Sequence, residues 1–481
     1  MKNIKSNIIV ALLAGLLLLS ACSKNEEAPT VTVATDEVAE VKLTDEQLEN
    51  IIRRSYQYVA LYNVVNKFAM DPRNPMSKGW NVCAADTALK DHTLEAIARP
   101  NNDTLYIGCF MDLRKDPVIV EIPAFDSKYV SLMVFGYDHY VYVPMATRNG
   151  DFKKPKKMLF YSARTEGYNG EPVEGVDRIF EMNGDFSGAV FRVMPHSADP
   201  ERFDKILGQM QSVNLQTLSE YKGDQAKPID DVVFPPFGMT DADVFGDNFL
   251  EVMQFVFNQN TFDPDDELDQ AVLAALKPLG VEPGKVYDAA KVAKIDGDRF
   301  RQASLKVQAE TLKLLTEPGL FASFSTRIMR EKGNSDLDAL IIASVIGPLG
   351  LPLEEATYPN VSTTDGAPMN AQNDYVIRMS KDELPPANAF WSLTLYDLQN
   401  GFFIPNDRKK YSVGENAGMQ LNAEGGIDIY VAEKQPEGTP EENWLPINRK
   451  DENMDIILRI YVPDLEKLKI WEAPKAGMIS K

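Results

Sequence analysis

Apolar residues recur at helical spacing early in the chain, between Thr44 and Met70. The positions that share one face of such a helix are Leu48, Ile51, Ile52, Tyr56, Val59, Tyr62, Val65 and Phe68. Spacings of three and four residues are typical of an amphipathic helix, and Thr or Asp suits the position before its first turn. The pattern therefore predicts one long helix over 44–70, with Thr44 or Asp45 as its N-cap.

From residue 98 onwards the pattern changes to short runs of β-type residues separated by Pro and Asp. Strands are predicted over 105–113, 117–122, 129–143, 158–162 and 189–194, followed by a helix over 199–221. The third run is apolar on both faces, which is typical of a single buried central strand. Successive strands with turn residues between them favour a sandwich or jelly roll over a doubly wound sheet.

The second half of the chain is predicted to form helices and then strands. Helices are expected over 240–260, 264–276 and 286–315, a Pro-rich linker over 347–359, and strands over 375–379, 390–396, 427–431 and 454–462. The fold class that follows is α+β, with two antiparallel β-sandwich (jelly-roll-like) modules, an N-terminal helix and a helical region between the modules. The predicted boundaries are 44–225 for the first β-rich domain, 226–355 for the helical region and linker, and 356–475 for the second β-sandwich domain.

The N-terminus has the pattern of a lipoprotein signal peptide. Lys2 and Lys5 precede an apolar run that ends in Leu-Ser-Ala-Cys at 19–22, which matches a lipobox. The run has about a dozen residues, too few for a permanent span of about 30 Å of hydrocarbon. We expect 1–21 to be removed and Cys22 to be lipidated, for example by palmitate. The alternative is an ordinary signal peptide with an accidental cysteine.

The segment 22–43 is rich in Glu, Thr, Ala and Val and is predicted to be a flexible tether. Ser23, rather than Asp, follows the cysteine, which favours the outer membrane of a bacterial cell envelope. The formal net charge of the 481 residues is −21, or about −23 without the two lysines of the signal peptide. Because such a surface repels nucleic acid and anionic headgroups, we expect no nucleic-acid partner and a membrane contact through the lipid alone. A homo-oligomer is left open.

Motifs for metal and nucleophile chemistry are absent from the sequence. No HExxH, HxH or CxxC spacing occurs, so no metal or other cofactor is expected. A GxSxG nucleophile elbow is also missing, which argues against serine hydrolase chemistry. Cys83 and Cys109 can pair in an oxidising periplasm. However, Cys109 alternates in phase with Ile107 and Met111, which is equally typical of an unpaired core cysteine, and both interpretations stay open.

Two sets of motifs resemble known domains. RPNNDTLY at 99–106, followed by MDLRKDPVIVEIP and KYVSLMVF, is similar to the domain of unknown function 1254. DGAPMN at 365–370, LPPANAFWSLTLYD, GGIDIY, NWLPI and LRIYVP are similar to its C-terminal companion, the domain of unknown function 1214. The resemblance covers most of 45–465. It implies strand-rich, jelly-roll-like halves with added helices, and it supplies no catalytic residues that can be transferred to this chain.

Polar side chains are concentrated in the 99–106 stretch, at the entry to a predicted strand. The candidates for a ligand pocket are Arg99, Asn101, Asn102, Asp103 and Tyr106. In that interpretation the arginine binds a carboxylate or sulfate and the tyrosine forms a wall. The alternative is structural, because Asn and Asp side chains also hold turns through hydrogen bonds to the backbone.

Two further residues complete the candidates. His139 shares a strand face with Phe135 and Val141 if the 129–143 strand is continuous, and it is either a core histidine or a base. Trp391 is either core or part of an aromatic platform for a ligand. We expect a membrane-tethered lipoprotein that binds a small organic or glycan ligand in a cleft of the β modules. The alternative is a hydrolase or lyase with Asp103 and His139 as its acid–base pair, so the sequence leaves catalysis undecided.

Overall fold

The first helix begins as its sequence predicts. The computed structural model describes residues 41–74, 76–95, 99–314 and 326–479. Helix α1 spans Asp45–Met70, and Thr44 closes a capping box with Gln47 in which each side chain accepts a hydrogen bond from the backbone N–H of the other. This arrangement satisfies two N–H groups that otherwise lack partners at a helix start. The prediction of one long capped helix is confirmed.

Along the chain, most of the other described helices lie between a first group of strands and a second group. They are α2 Pro200–Gln211, α3 Leu218–Tyr221, α4 Asp241–Asp247, α5 Phe249–Gln259, α6 Glu267–Leu276, α7 Gly297–Leu314, α8 Leu337–Ile346 and α9 Leu465–Leu468. Residues of α1, α4, α5, α6, α7 and α8 contribute to one large apolar core. That core includes Phe110, Phe135 and Phe186, which come from strands of the first β module. The helical region is therefore packed directly on a β-sheet.

The first β module consists of two sheets. The strands are β1 Val82–Asp86, β2 Leu105–Asp112, β3 Val118–Ile122, β4 Val130–Gly136, β5 Val141–Ala146, β6 Lys156–Ser162, β7 Arg178–Met182, β8 Phe186–Val193 and β9 Asn214–Thr217. One sheet has the order β1-β2-β8-β4-β5 and the other the order β7-β6-β3-β9. A second core fills the space between them, with Ile107, Val120 and Phe160 among its residues. The β1-β2-β8-β4-β5 sheet is thus a middle layer, with helices on its other face.

The second β module repeats the two-sheet plan. Its strands are β10 Ala356–Thr357, β11 Met369–Asn370, β12 Asp374–Met379, β13 Ala387–Asp397, β14 Ser412–Gly414, β15 Ile427–Ala432, β16 Trp444–Pro446, β17 Asn453–Pro463 and β18 Ala476–Ile479. The sheet orders are β10-β17-β13-β14, with β11 also on β17, and β16-β15-β12-β18. Pairing is antiparallel except for β6 with β7 and β15 with β16, which are parallel. The predicted α+β class with two sandwich-like modules is confirmed.

Three predicted elements are interrupted, and a fourth is shorter than predicted. The run 129–143 forms a hairpin instead of one strand, because β4 and β5 are antiparallel neighbours joined by a turn in which His139 has a φ of 66°. The predicted helix 199–221 is divided by β9. Asn248, with a φ of −149°, separates α4 from α5 within 240–260. In 286–315 the helix begins only at residue 297.

Cys83 and Cys109 form a disulfide between opposite residues of β1 and β2. The unpaired alternative for these cysteines is therefore excluded. The predicted signal peptide, Cys22 and residues 22–40 of the predicted tether lie outside the described residues. The last three residues of the predicted tether, 41–43, are described, and Val41 and Leu43 pack against the helical core. Within the described ranges, no helix has the length and apolar character needed to cross a membrane.

Candidate functional site

The 99–106 turn lies against the second β module. Arg99 pairs with Asp455 at 2.9 Å, and its N–H donates to the carbonyl of Gly401 at 2.7 Å. The carbonyl of Arg99 accepts from Arg459 Nη2 at 3.2 Å. Arg99 has a φ of 51°, which lies in the left-handed region and places both its carbonyl and its side chain toward these partners. This arginine is thus engaged by residues of the second module, in contact with β17, although its side chain is 40% exposed.

The next residues of the turn continue the contact. Asn101 Nδ2 donates to the hydroxyl of Tyr461 at 2.8 Å, and Asn101 Oδ1 accepts from the backbone N–H groups of Asp103 and Thr104. Asp103 Oδ2 accepts from Ser392 Oγ at 2.5 Å. The side chains that stabilise the turn therefore also form hydrogen bonds to β13 and β17.

Arg459 is the centre of this contact on the second module. Its side chain is buried, and it donates to Thr394 Oγ1 at 2.9 Å and to the Tyr396 hydroxyl at 2.7 Å. The Tyr396 hydroxyl in turn donates to the carbonyl of Pro100 at 2.6 Å. A planar guanidinium with several fixed donors suits such a buried junction better than a lysine. We call the two facing surfaces, the 99–106 turn and its partners on β13 and β17, the module junction.

The pKa of the Asp103 carboxyl group is shifted by its buried surroundings. The side chain is 1% exposed, and burial raises its pKa, while the positive charge of Arg459 and hydrogen bonds from Ser392 and Tyr461 act in the opposite direction. A carboxylate in such a place is held by its partners instead of being presented to solvent. The structure therefore places Asp103 in the wall of the junction.

His139 lies elsewhere, in the β4–β5 turn. It is buried, with Nδ1 at 2.9 Å from Ser344 Oγ and Nε2 at 2.8 Å from the carbonyl of Pro348. Burial lowers the pKa of His139 to about 4, and the Pro348 carbonyl offsets part of this effect. One ring nitrogen thus contacts Ser344 of α8, and the other contacts Pro348 in the segment that follows α8. The partners of His139 and those of Asp103 are different residues.

The remaining predicted site residues are Trp391, Asn102 and Tyr106. Trp391 is 5% exposed and belongs to the core between the two sheets of the second module. The Oδ1 atom of Asn102 is buried and has no hydrogen-bond partner among the described residues. Tyr106, the last residue of the 99–106 turn, is half-buried, and the guanidinium of Arg192 lies 5.8 Å from its ring centroid. Tyr106 and Arg192 are opposite each other on β2 and β8.

A cavity of about 370 Å³ lies beside the module junction. Its lining is mostly aliphatic and consists of Ile328, Met329, Ile346, Gly347, Gly350, Leu351, Leu353, Ala356, Thr357 and Tyr358. Ala356 is the register partner of Tyr461 on β17, so one wall of the cavity is next to the strand that receives Asn101. We call this space the junction cavity. It lies between the end of α8 and the second β module.

Arg192 lies behind the cavity lining. Its Nη2 donates to the carbonyl of Leu349, which is between the lining residues Gly347 and Gly350. The side chain is 7% exposed, and its Nη1 has no hydrogen-bond partner among the described residues. The cavity therefore combines aliphatic walls with a buried cation directly behind one of them.

A second cavity, of about 470 Å³, lies on the outer edge of the second module. Lys381, Lys467 and the exposed Ile470 are among its lining residues. None of its lining side chains has a buried polar atom without a partner. Across the described ranges, no group of three or more His, Cys, Asp or Glu residues is arranged to hold a metal ion.

Arg192, Arg459 and Tyr358 were not among the residues predicted from the sequence. Arg192 interrupts the apolar run Ala-Val-Phe-Arg-Val, and Arg459 interrupts Ile-Ile-Leu-Arg-Ile. A charge within a buried strand requires a partner, because burying it alone is costly. This interruption is the signal that points to both arginines. Tyr358, in the predicted linker, has no comparable signal.

Two family models match the chain. The model described as Protein of unknown function (DUF1254) matches residues 81–212, and the model described as Protein of unknown function (DUF1214) matches residues 354–465. The first range contains the 99–106 turn and Arg192. The second range contains Ser392, Arg459 and the whole of β10, which provides part of the cavity wall. The module junction is therefore formed between the two matched domains.

The crystal structure of the VPA0106 protein from Vibrio parahaemolyticus has the same fold, with a TM-score of 0.69 at 21% identity, over 91% of this chain and 100% of that chain. A structure of an uncharacterized protein from Burkholderia cenocepacia is less similar, with a TM-score of 0.41 at 13% identity, over 90% of this chain and 94% of that chain. No curated protein matches the chain. The chain belongs to the family of proteins in which a domain of unknown function 1254 is followed by a domain of unknown function 1214.

Proposed function

We propose that the protein binds a small organic molecule in the junction cavity. The observation that carries this proposal is the combination of about 370 Å³ of aliphatic space with the buried guanidinium of Arg192 behind its wall. Ligand sites are typically concave, largely apolar and about 300 to 1,000 Å³ in volume, with a few polar groups that fix the orientation of the ligand. The junction cavity has the volume and the largely apolar lining of such a site, and Thr357 and Tyr358 are its polar lining side chains.

The lining favours an organic ligand over a glycan. Its side chains include Ile328, Ile346, Leu351 and Leu353, which offer no hydrogen bonds to sugar hydroxyls. Hydroxyl groups moved from water into such surroundings lose hydrogen bonds without replacement. A ligand with an apolar part is therefore the better match for these walls.

The hydrolase or lyase alternative receives less support. An acid–base pair of Asp103 and His139 requires both side chains within reach of one substrate. Asp103 is bonded to Ser392, whereas the two ring nitrogens of His139 face Ser344 and Pro348. Each of the two side chains is therefore held by its own partners on a separate element. We propose that both residues stabilise the fold and that they do not act as an acid–base pair.

A thermal-shift screen of small organic molecules tests the proposal, because a ligand that binds only the folded state raises the unfolding temperature. Ala356→Phe and Leu353→Trp fill the cavity from two positions. We expect both variants to lose the stabilisation by hits from the screen. The exposed Ala423→Phe is the matched control and should keep it. Hits that stabilise the cavity variants as much as the native protein would place binding elsewhere.

We also propose that the protein is tethered to the bacterial outer membrane through lipidated Cys22. The lipobox at 19–22 and the Ser that follows it support this localisation. Replacement of Cys22 by Ser removes the thiol that carries the lipid, so the variant should move from the membrane fraction to the soluble fraction. Ser23→Ala is the control and should stay with the membrane. Continued membrane association of the Cys22 variant would reject the lipid anchor.

A further inference from the structure

We infer that the second cavity, on the outer edge of the second module, is a binding site for a neutral glycan. The cavity has a volume of about 470 Å³ and is lined by residues within 381–388 and 464–471. We call this space the edge cavity. It shares no lining residue with the junction cavity, so the glycan site is independent of the ligand proposed there.

Two connections between the sheets of the second module form the edge cavity. Residues 380–386 join β12 to β13, and residues 464–475 join β17 back to β18 in the sheet of β12. The backbone N–H of Asp464 donates to the carbonyl of Pro386 at 2.7 Å and thereby links the two connections. Pro385 and Pro386 line the cavity, and their rings fix φ in the first connection. The walls are therefore held in place before any ligand binds.

Trp471 supplies an aromatic surface in the edge cavity. The half-buried side chain packs against the core of the second module, and its Nε1 donates to the carbonyl of Glu383 at 2.9 Å. Because this bond uses the only donor of the indole, the part of the ring that lines the cavity offers an apolar π surface. The face of an aromatic ring carries partial negative charge. It therefore attracts the C–H groups that cover one side of a sugar ring.

A β-bulge places Asn388 at the same cavity. In the pairing of β13 with β17, Ala387 is opposite Pro463. Phe390 is opposite Tyr461, so β13 has one more residue than β17 between the two pairs. Bulges re-aim side chains and are frequent next to active sites. Here the exposed Asn388 lines the cavity, and its amide both donates and accepts, as a sugar hydroxyl requires of its partners.

The charges of the lining are balanced. Lys467 pairs with Asp464 at 3.1 Å, and Lys381 and Asp382 also line the cavity. In the described part of the chain, the side chains of Lys381, Asp382 and Asn388 form no hydrogen bond or ion pair, so their polar atoms are available to hydroxyl groups. Two lysines and two aspartates leave no net charge to attract an ionic ligand. The formal charge of −21 on the whole chain also disfavours a polyanion.

A glycan array probed with the full chain tests the site, because it presents neutral and acidic glycans together. We expect neutral glycans to bind in preference to sialylated or sulfated ones. In calorimetric titrations with the best neutral glycan, Trp471→Ala should lower the affinity about tenfold or more, as truncation of an aromatic anchor typically does. Asn388→Ala should cause a smaller loss, and Trp471→Phe should keep part of the affinity because a ring remains.

The matched control is Tyr430→Ala, which removes another half-buried aromatic side chain of the second module, on β15, that lines neither cavity. It should bind the glycan like the native protein. Because Trp471 also packs on the core, circular dichroism of each variant checks that it is folded. If Trp471→Ala does not fold, Trp471→Phe and Asn388→Ala decide the question, and native affinity in both would overturn the inference.

Three other results would also overturn the glycan site. They are the absence of binding to any neutral glycan of the array, a preference for acidic glycans, and native affinity in folded Trp471→Ala. The junction cavity is tested separately, since Ala356→Phe fills that cavity and should leave glycan binding unchanged. A glycan that is lost in Ala356→Phe and kept in Trp471→Ala would belong to the junction cavity, which would reject the edge cavity as its site.

Discussion

Asp103 and Ser392 are 289 positions apart in the chain and share a hydrogen bond of 2.5 Å across the module junction. Asp103 belongs to the turn before β2, and Ser392 belongs to β13. Both side chains are buried, so the bond forms without competition from water. This polar contact joins the domain of unknown function 1254 to the domain of unknown function 1214. It also accounts for the many side chains in the turn that donate or accept hydrogen bonds.

The first prediction concerns this bond. Ser392→Ala should lower the free energy of unfolding by about 1.5 to 3 kcal/mol, the usual contribution of a hydrogen bond to a charged group. Asp103→Asn should also destabilise the protein, and the double variant should cost less than the sum of the two single variants, because the shared bond is lost only once. Urea unfolding of the four proteins gives the coupling energy. Additive losses would show that the bond contributes nothing.

Arg459 provides the second prediction. Arg459→Gln leaves the carbonyl of Arg99 and the hydroxyls of Thr394 and Tyr396 without a charged donor. We expect the free energy of unfolding to fall by about 3 kcal/mol or more, since each such hydrogen bond contributes about 1.5 to 3 kcal/mol.

The matched control for Arg459 is Arg378→Gln, which removes an exposed ion pair with Asp428. Exposed pairs contribute at most about 1 kcal/mol, so this variant should unfold close to the native midpoint. Chemical unfolding of both variants under the same conditions makes the comparison. Similar losses in the two variants would contradict the central position of Arg459 in the junction.

Elements with local signals could be predicted from the sequence. Helix α1 depends on its own apolar spacing and on the Thr44 and Gln47 cap, all within one segment. The β4–β5 turn could not be predicted, because the run 129–143 is apolar throughout and the turn is held from outside. Gln57 of α1 donates to the carbonyl of Asp138, and Ser344 of α8 contacts His139.

The candidate site shows the same division between local and distant information. The 99–106 turn stands out in the sequence because several polar side chains precede a strand. Its partners are on β13 and β17, about 290 to 360 positions away, and no local pattern indicates them. The junction cavity depends on the packing of α8 and β10, so its location could not be obtained from periodicity. The isolated charges of Arg192 and Arg459 within apolar runs mark buried polar contacts, but they do not locate the cavity.

The third prediction concerns acid stability. The pKa of folded His139 is about 4, below its ordinary value of 6.5, because burial disfavours the charged ring. Between these two values the unfolded chain binds a proton that the folded protein does not, so the free energy of unfolding falls as the pH falls from 6.5 to 4. The loss is about 3 kcal/mol for a shift of this size.

His139→Gln removes that contribution, since its amide can donate to the Pro348 carbonyl and does not titrate. Urea unfolding between pH 7 and pH 4 should therefore show a shallower loss of stability for this variant than for the native protein. His196→Gln is a useful comparison, because the pKa of His196 is also lowered to about 4 by burial, but that side chain is only half-buried. The His196→Gln substitution should therefore change the pH dependence of the unfolding free energy less than the His139→Gln substitution does. Identical pH profiles for the native and His139 variants would contradict the prediction.

The last prediction concerns the disulfide between Cys83 and Cys109, which are 26 positions apart. Closing a loop of that size restricts the unfolded chain and stabilises the folded protein by about 3.5 kcal/mol. The variant Cys83→Ser with Cys109→Ala, which keeps a small apolar residue at the buried position, should lose about this amount of unfolding free energy.

Thermal unfolding with and without reductant provides the check. Reductant should lower the unfolding temperature of the native protein toward that of the variant and leave the variant unchanged, because only the native protein has a bond to reduce. A native midpoint that is indifferent to reductant, with thiol titration confirming reduction, would show that the loop contributes no stability.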